Sequence, residues 1–179
     1  TIRDMLLSMI TLKYTQSNSV VYSFHGQMIG IGAGQQSRID CTILARKKAE
    51  IWFLRHHPKV YEFALNKLPK DLKRHEKINA IIKMIDNNPI GSYDKKKFIS
   101  EFINSYFITD ANKPSINERH IILASDGFFP FPDSVYEASK INVTHIVQPG
   151  GSVADKNVIE ACNINSICMI NTGVRAFHH

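Results

Sequence analysis

Residues 19–24 and 27–33 read as two strands separated only by His25-Gly26, a tight hairpin turn, so a sheet has to begin there. The second arm runs Ile29-Gly30-Ile31-Gly32-Ala33-Gly34, and alternate glycines in a strand mark close approach of another backbone or of a ligand. A helix is expected at 1–11, where Ile2, Met5, Leu6, Met9 and Ile10 recur at helical spacing. A long helix follows the hairpin at 37–57, with Ser37 as its cap and Pro58 as its stop. Further on come strand 120–124, helix 133–139, strand 143–147, helix 152–162 and strand 166–170. A hairpin followed by right-handed strand–helix–strand crossovers predicts an α/β protein, a three-layer α/β/α sandwich. Between the two parts, 61–68, 71–86 and 93–107 read as helices broken at Asn87-Asn88-Pro89 and Asn112-Lys113-Pro114. This lysine- and asparagine-rich stretch, about 59–118, reads as a helical insertion in a single domain spanning 1–179.

The 179 residues, 44% hydrophobic and 21% charged, suffice for one domain with a real core and exclude a disordered chain. No apolar run is long enough to span a bilayer. Thr1-Ile2-Arg3-Asp4 has charges where a signal peptide needs its apolar segment. The chain lacks an initiator Met, so a piece of a longer polypeptide is expected. The net charge of +6 comes from lysines at solvent-face helical spacings. Without basic residues interleaved with exposed aromatics, it argues for small anionic molecules and against nucleic acid as partner. Cys41, Cys162 and Cys168 form an odd set without paired spacing, which suits a reducing cytosol; Cys41 and Cys162 read as core.

Several residues suggest chemistry. Residues 12–19 read as an extended feed into the hairpin, with the Thr15, Ser17 and Ser19 hydroxyls on one period-two face and the Asn18 amide on the other. The hydroxyl row is either the solvent face of an edge strand or, with Asp126, an all-oxygen cage for a hard cation. Arg38 is a fixed cation after the glycine arm. Gly30-x-Gly32-x-Gly34 lacks the Rossmann spacing and its strand-to-helix context. The chain has no His-x-Glu followed by Pro-Cys-x-x-Cys, so zinc-deaminase chemistry is not expected. His56-His57 reads as a cap at a helix C-terminus. In Phe128-Phe129-Pro130-Phe131, two rings are expected to plug the core and one to face a cleft where a base can stack; Asp133 offers an acceptor to an amino-pyrimidine edge. Pro149-Gly150-Gly151-Ser152 reads equally as an anion-attracting helix start or as a plain turn with a Ser cap.

Leu12 to Ser19, Ile29 to Arg38, Ser125 to Phe131, Pro149 to Ser152 and Arg175-Ala176-Phe177-His178-His179 together resemble the C-terminal part of the transformylase domain in the bifunctional AICAR transformylase/IMP cyclohydrolase family. Residues 65–118 carry no such resemblance. It implies a cytidine-deaminase-like unit and transfer of a formyl group from 10-formyltetrahydrofolate to AICAR, giving FAICAR in purine biosynthesis. By resemblance Asn18 is catalytic, Arg38, Phe128, Arg175 and Phe177 bind AICAR, and Ile39, Pro130 and Asp133 line the folate pocket. A potassium ion is implied on Thr15, Ser17, Ser19 and Asp126, helped by backbone of Leu12 and of the region of Ala176 and His178. The family commonly has Arg where this chain has Pro132. Its proton-transfer Lys-His pair is absent from these 179 residues, which contain no Lys-His dipeptide. The resemblance further implies a cytosolic homodimer with shared active sites. The alternatives are an inactive folate- or nucleotide-binding module and a dimerisation unit of the same fold.

Overall fold

The computed structural model describes residues 1–87, 90–105 and 120–177, with the side chains of that range except 92 and 93. The order is α1 (Ile2–Lys13), β1 (Ser19–Phe24), β2 (Gln27–Ala33), α2 (Arg38–Leu54), α3 (Pro58–Asn66), α4 (Arg74–Asp86), α5 (Ser92–Ser105), β3 (Ile121–Ser125), α6 (Asp133–Ser139), β4 (Val143–Gln148), α7 (Asp155–Ile164) and β5 (Cys168–Asn171). The five strands form one mixed sheet in the order β2-β1-β3-β4-β5. β1 pairs antiparallel with β2 and with β3, whereas β3–β4 and β4–β5 are parallel, as α6 and α7 crossovers require.

The period-two pleat of β1 sorts the core onto two faces. Val20, Tyr22 and Phe24 pack with Cys41, Ala45, Ala49 and Phe53 of α2, with Val135 and Ala138 of α6 and with Val158 and Cys162 of α7. Val21, Ile122, Ala124 and Val147 point the other way, under Leu12, Met5 and Met9 of α1. Helices therefore cover both faces, the layering expected. α1 is also pinned by polar contacts: buried Asp4 accepts from Gly26 N–H at 2.7 Å, and the Ser8 and Ser23 hydroxyls meet at 2.8 Å.

The hairpin falls where its residues predict it, with His25 and Gly26 both at positive φ. The glycine arm serves a purpose the sequence left open. A Cβ on Gly30 would run into the Ala45 carbonyl, and one on Gly32 into the Cys41 carbonyl. These glycines let α2 lie directly on edge strand β2, so the close approach is helix on strand, with the small Ala45 and Ala49 on the facing side.

The extended feed at 12–18 is a correction. α1 continues through Lys13, because Leu12 is fully buried against the sheet and draws the helix onward. Thr15 then closes the end, its N–H donating to Leu12 O at 3.1 Å and its hydroxyl to Thr11 O at 2.6 Å. Strand geometry begins only at Ser19, so Thr15, Ser17 and Ser19 do not share a pleat face. Other helix ends also move: the helices expected at 61–68 and 71–86 run Pro58–Asn66 and Arg74–Asp86. α2 stops at Leu54, and Pro58 starts α3, with His57 Nδ1 accepting from Lys59 N–H as its cap at 3.2 Å. His57 is thus an N-cap and not a C-terminal one, while the His56 ring packs on Trp52 and Phe102. α7 begins at Asp155, three residues late, because the Asp155 carboxylate takes the Gly151 N–H at 2.7 Å.

The lysine-rich stretch is built into the core at one end. α5 supplies Ile99 and Ile103 to the main cluster beside Phe53. α3 and α4 close a third cluster of Leu54, Val60, Ile85 and Ile90. The expected breaks at 88–89 and 112–114, and the expected end of the third helix at 106–107, lie outside the described residues. Among the described residues no helix is long and apolar enough to cross a membrane.

Candidate functional site

The site is assembled at the C-terminal end of β3, where open α/β sheets place ligands. Asp126 follows the strand and is fully buried. Its Oδ2 accepts from Ser19 N–H at 3.1 Å, and its Oδ1 is bound by the guanidinium of Arg38, itself only 9% exposed in the first turn of α2. Arg38 Nη1 also donates to Ser125 Oγ at 3.1 Å, and that hydroxyl donates to Gly127 O at 2.7 Å. A buried ion pair leans on further hydrogen bonds to its groups, here the Ser19 N–H and the Ser125 hydroxyl, and removing one partner costs about 3–5 kcal/mol. Gly127 is required: a Cβ would overlap the Arg38 guanidinium and come within 3.0 Å of the Phe177 ring.

Above this pair lies an alternating stack of cations and rings. Arg38 Cζ is 5.4 Å from the Phe177 centroid, and Arg175 Cζ is 5.8 Å from Phe177 and 5.1 Å from Phe128. The tail is tied down by Ala176 N–H donating to Asp126 O at 2.9 Å. Arg38, Phe128, Arg175 and Phe177, separated by as many as 139 positions in sequence, are thus brought into one cluster, with Arg175 exposed and Phe177 45% exposed. Of the three rings in the Phe-Phe-Pro-Phe run, only Phe129 is a core plug. Phe128 is half-buried in the stack and Phe131 is 63% exposed, which corrects the expectation of two plugs.

Pro130 lines a cavity of about 480 Å³ between this loop and residues 151–157, with Phe128, Phe131 and Val153 as further walls. Asp133 stands at the start of α6 and its Oδ1 accepts from Ser134 N–H at 2.7 Å, leaving Oδ2 for another donor. Ile39 is half-buried in the same turn of α2 as Arg38. The Asn18 backbone carbonyl accepts from Cys41 Sγ of α2 at 3.1 Å. Its amide nitrogen donates to Gln35 O and Gln36 O at 3.2 and 3.3 Å. The Gly150-Gly151 turn has no N–H to spare at Gly151, since Asp155 takes it; of the two readings, the plain turn prevails there.

The residues implied for a cation fit it in part. The Ser19 hydroxyl is buried without a hydrogen-bond partner, an oxygen suited to a ligand. The Thr15 hydroxyl donates to Thr11 O, which leaves its oxygen able to accept. Asp126, however, is already held by Arg38, so a monovalent ion there has to share a carboxylate with a guanidinium. His178 lies outside the described residues.

Sequence reasoning overlooked three supports. Ser125 and Gly127 flank Asp126, and a glycine next to a strand-end carboxylate was a usable signal. Gln148 is fully buried, with Oε1 accepting from Phe129 N–H at 2.8 Å and Nε2 reaching Asn171 Oδ1. A lone Gln at the end of an apolar strand gives no such signal.

The sequence is similar to known proteins of one kind. Residues 1–48 match the model of the AICARFT/IMPCHase bienzyme. The chain is similar over its whole length to a section of these bienzymes. The bifunctional purine biosynthesis protein PurH of Bartonella bacilliformis is 30% identical over 177 residues, 99% of this chain and 23% of that protein. PurH of Buchnera aphidicola is 32% identical, across 99% of the chain and 22% of the relative. PurH of Aquifex aeolicus is 31% identical, across 98% and 22%. The chain thus spans under a quarter of the length of these relatives. The similarity runs through 65–118, the stretch in which no resemblance was legible.

Proposed function

We propose that this chain forms part of the formyltransferase site of a bifunctional purine-biosynthesis enzyme, within a cytidine-deaminase-like unit. The observation that carries the reading is the Arg38–Phe177–Arg175–Phe128 stack over the buried Asp126. An exposed guanidinium beside two accessible rings suits a phosphorylated aromatic ligand, the fork for phosphate and the faces for a base. In this reading AICAR takes its phosphate to Arg175 and its ring to Phe128 and Phe177, with Arg38 behind them. The folate enters along Ile39 and the cavity walled by Pro130, and Asp133 accepts from its amino-pyrimidine edge.

The reaction joins the AICAR 5-amino nitrogen to the formyl carbon and breaks the bond from that carbon to N10. The amine loses a proton and N10 gains one. The amine is a weak nucleophile because its lone pair is delocalised, so orientation and proton transfer set the rate. Asn18 is assigned to the developing oxyanion, exchanging its 3.2–3.3 Å contacts with the Gln35 and Gln36 carbonyls for the formyl oxygen. The proton-transfer Lys-His pair is supplied from outside these residues, by the same polypeptide or by a partner in a cytosolic homodimer with shared sites. A potassium ion on Thr15, Ser17, Ser19 and Asp126 would stiffen the turn that positions Asn18.

The test is ligand protection. AICAR at about 100 times its Kd is expected to raise the melting temperature by several degrees, the scale of roughly 2.7 kcal/mol. Arg175→Ala should abolish most of that shift while leaving the unliganded melt unchanged. Equal protection in both proteins overturns the reading.

A further inference from the structure

A second cavity, of about 1010 Å³, lies away from the stack, between α2, α5 and the end of α6. Its lining has five cations, Arg46, Lys95, Lys96, Lys97 and Lys140, against two carboxylates, Glu50 and Glu101. The cations are not all spent. Arg46 gives Nε to Glu137 and Nη1 to Glu50, which fixes the guanidinium and leaves Nη2 over. Lys140 is paired with Glu137 and Lys97 lies 3.9 Å from Glu101. Lys95 and Lys96 make no ion pair among the described residues. The groove's edge is held by Asn142 Nδ2 donating to Lys96 O at 3.4 Å, which links α5 to the start of β4.

Behind this ion-pair group lies a buried, unpartnered hydroxyl. Tyr22, in the middle of β1, is fully buried and its hydroxyl has no hydrogen-bond partner. Arg46, Glu137 and Glu50 are the charged groups acting on it, and burial pushes its ionisation upward, so it stays a donor. Among the described residues no aromatic side chain lines the groove, so these offer no platform for a base.

We propose that this groove binds a small polyanion through its phosphate groups, an oligophosphate or a multiply phosphorylated metabolite, at a site separate from the formyltransferase cluster. Lys95 and Lys96 supply the free charge and Arg46 a fixed fork. This assigns a role to the lysine-rich stretch that formyl transfer does not use.

The experiment is calorimetric titration of the protein with tripolyphosphate at low and at moderate salt. Binding is expected to weaken as salt rises. The Lys95→Ala/Lys96→Ala double variant, altered at one half-buried and one exposed lysine and checked for an unchanged thermal melt, should lose about tenfold or more in affinity. Arg175→Ala should bind as the parent does. The proposal is overturned by absence of binding, by unchanged affinity in the double variant, by loss of binding in Arg175→Ala, or by a short single-stranded RNA binding more tightly than tripolyphosphate, which would make this a nucleic-acid surface.

Discussion

Asp126 and Arg38 form the centre of the site, and their substitution separates structure from chemistry. Asp126→Asn leaves a buried guanidinium without its counter-charge and is expected to destabilise the fold by about 3–5 kcal/mol, read from urea denaturation. Asn18 behaves differently, because its side chain holds only two long contacts to loop carbonyls. Asn18→Ala in the complete enzyme should lower kcat by roughly a hundredfold or more, the scale of one lost oxyanion donor, with AICAR affinity little changed. Steady-state kinetics with wild-type kcat would remove Asn18 from the mechanism. Residue type singled out the Asn18 amide and the Arg38 cation as candidates, whereas Arg175 and Phe177 were named by the family resemblance. Their mutual geometry was not legible: the cation–ring alternation depends on a tail returning to Asp126, which no local pattern encodes.

At the scale of elements, the contact of α2 with β2 is the clearest case of a motif with a structural meaning. Gly30→Ala and Gly32→Ala each force a methyl into a helix carbonyl and should cost about 1–3 kcal/mol, whereas Gly34, in a left-handed turn at φ 66°, should lose about 1 kcal/mol or more through backbone strain when changed to Ala. Thermal melts of the three variants check the order; equal melts for Gly30→Ala and the parent would mean that α2 rides higher than described. Elements with period-two or 3.6-residue patterns were readable, and β1, β2 and α6 occupy the residues their patterns predict. The misread ends share one cause. At 12–18, at 55–58 and at 152–155 a local signal competed with a tertiary contact or cap. Leu12 under the sheet, His57 on Lys59 N–H and Asp155 on Gly151 N–H decided the outcome.

For the whole molecule, titration sets a window of stability. His57, His120 and His145 are all pushed below their usual 6.5 by burial, reinforced by Lys59 for His57, by the N-terminus for His120 and by His120 and the N-terminus for His145. A lowered histidine is neutral in the fold and takes up its proton more readily when unfolded, so its contribution is complete above pH 6.5 and shrinks as pH falls below it. At the alkaline side burial raises Cys162 from 9.0 to about 11, a contribution complete below pH 9 and lost on rising toward 11. Urea denaturation midpoints should therefore plateau between about pH 6.5 and 9 and fall on both sides. A midpoint that rises on acidification from pH 7 to 5.5 would contradict these environments. What the sequence determined by itself is the α/β class of the fold and the hairpin-led order of its elements, because periodicity and turn residues act over a few positions. Tertiary structure alone decided that the glycines serve α2, that Asp126 is paired with Arg38, and that Arg175 stacks between Phe128 and Phe177. These depend on distances across the chain, where burial and charge compete and a single buried partner settles which contact is made.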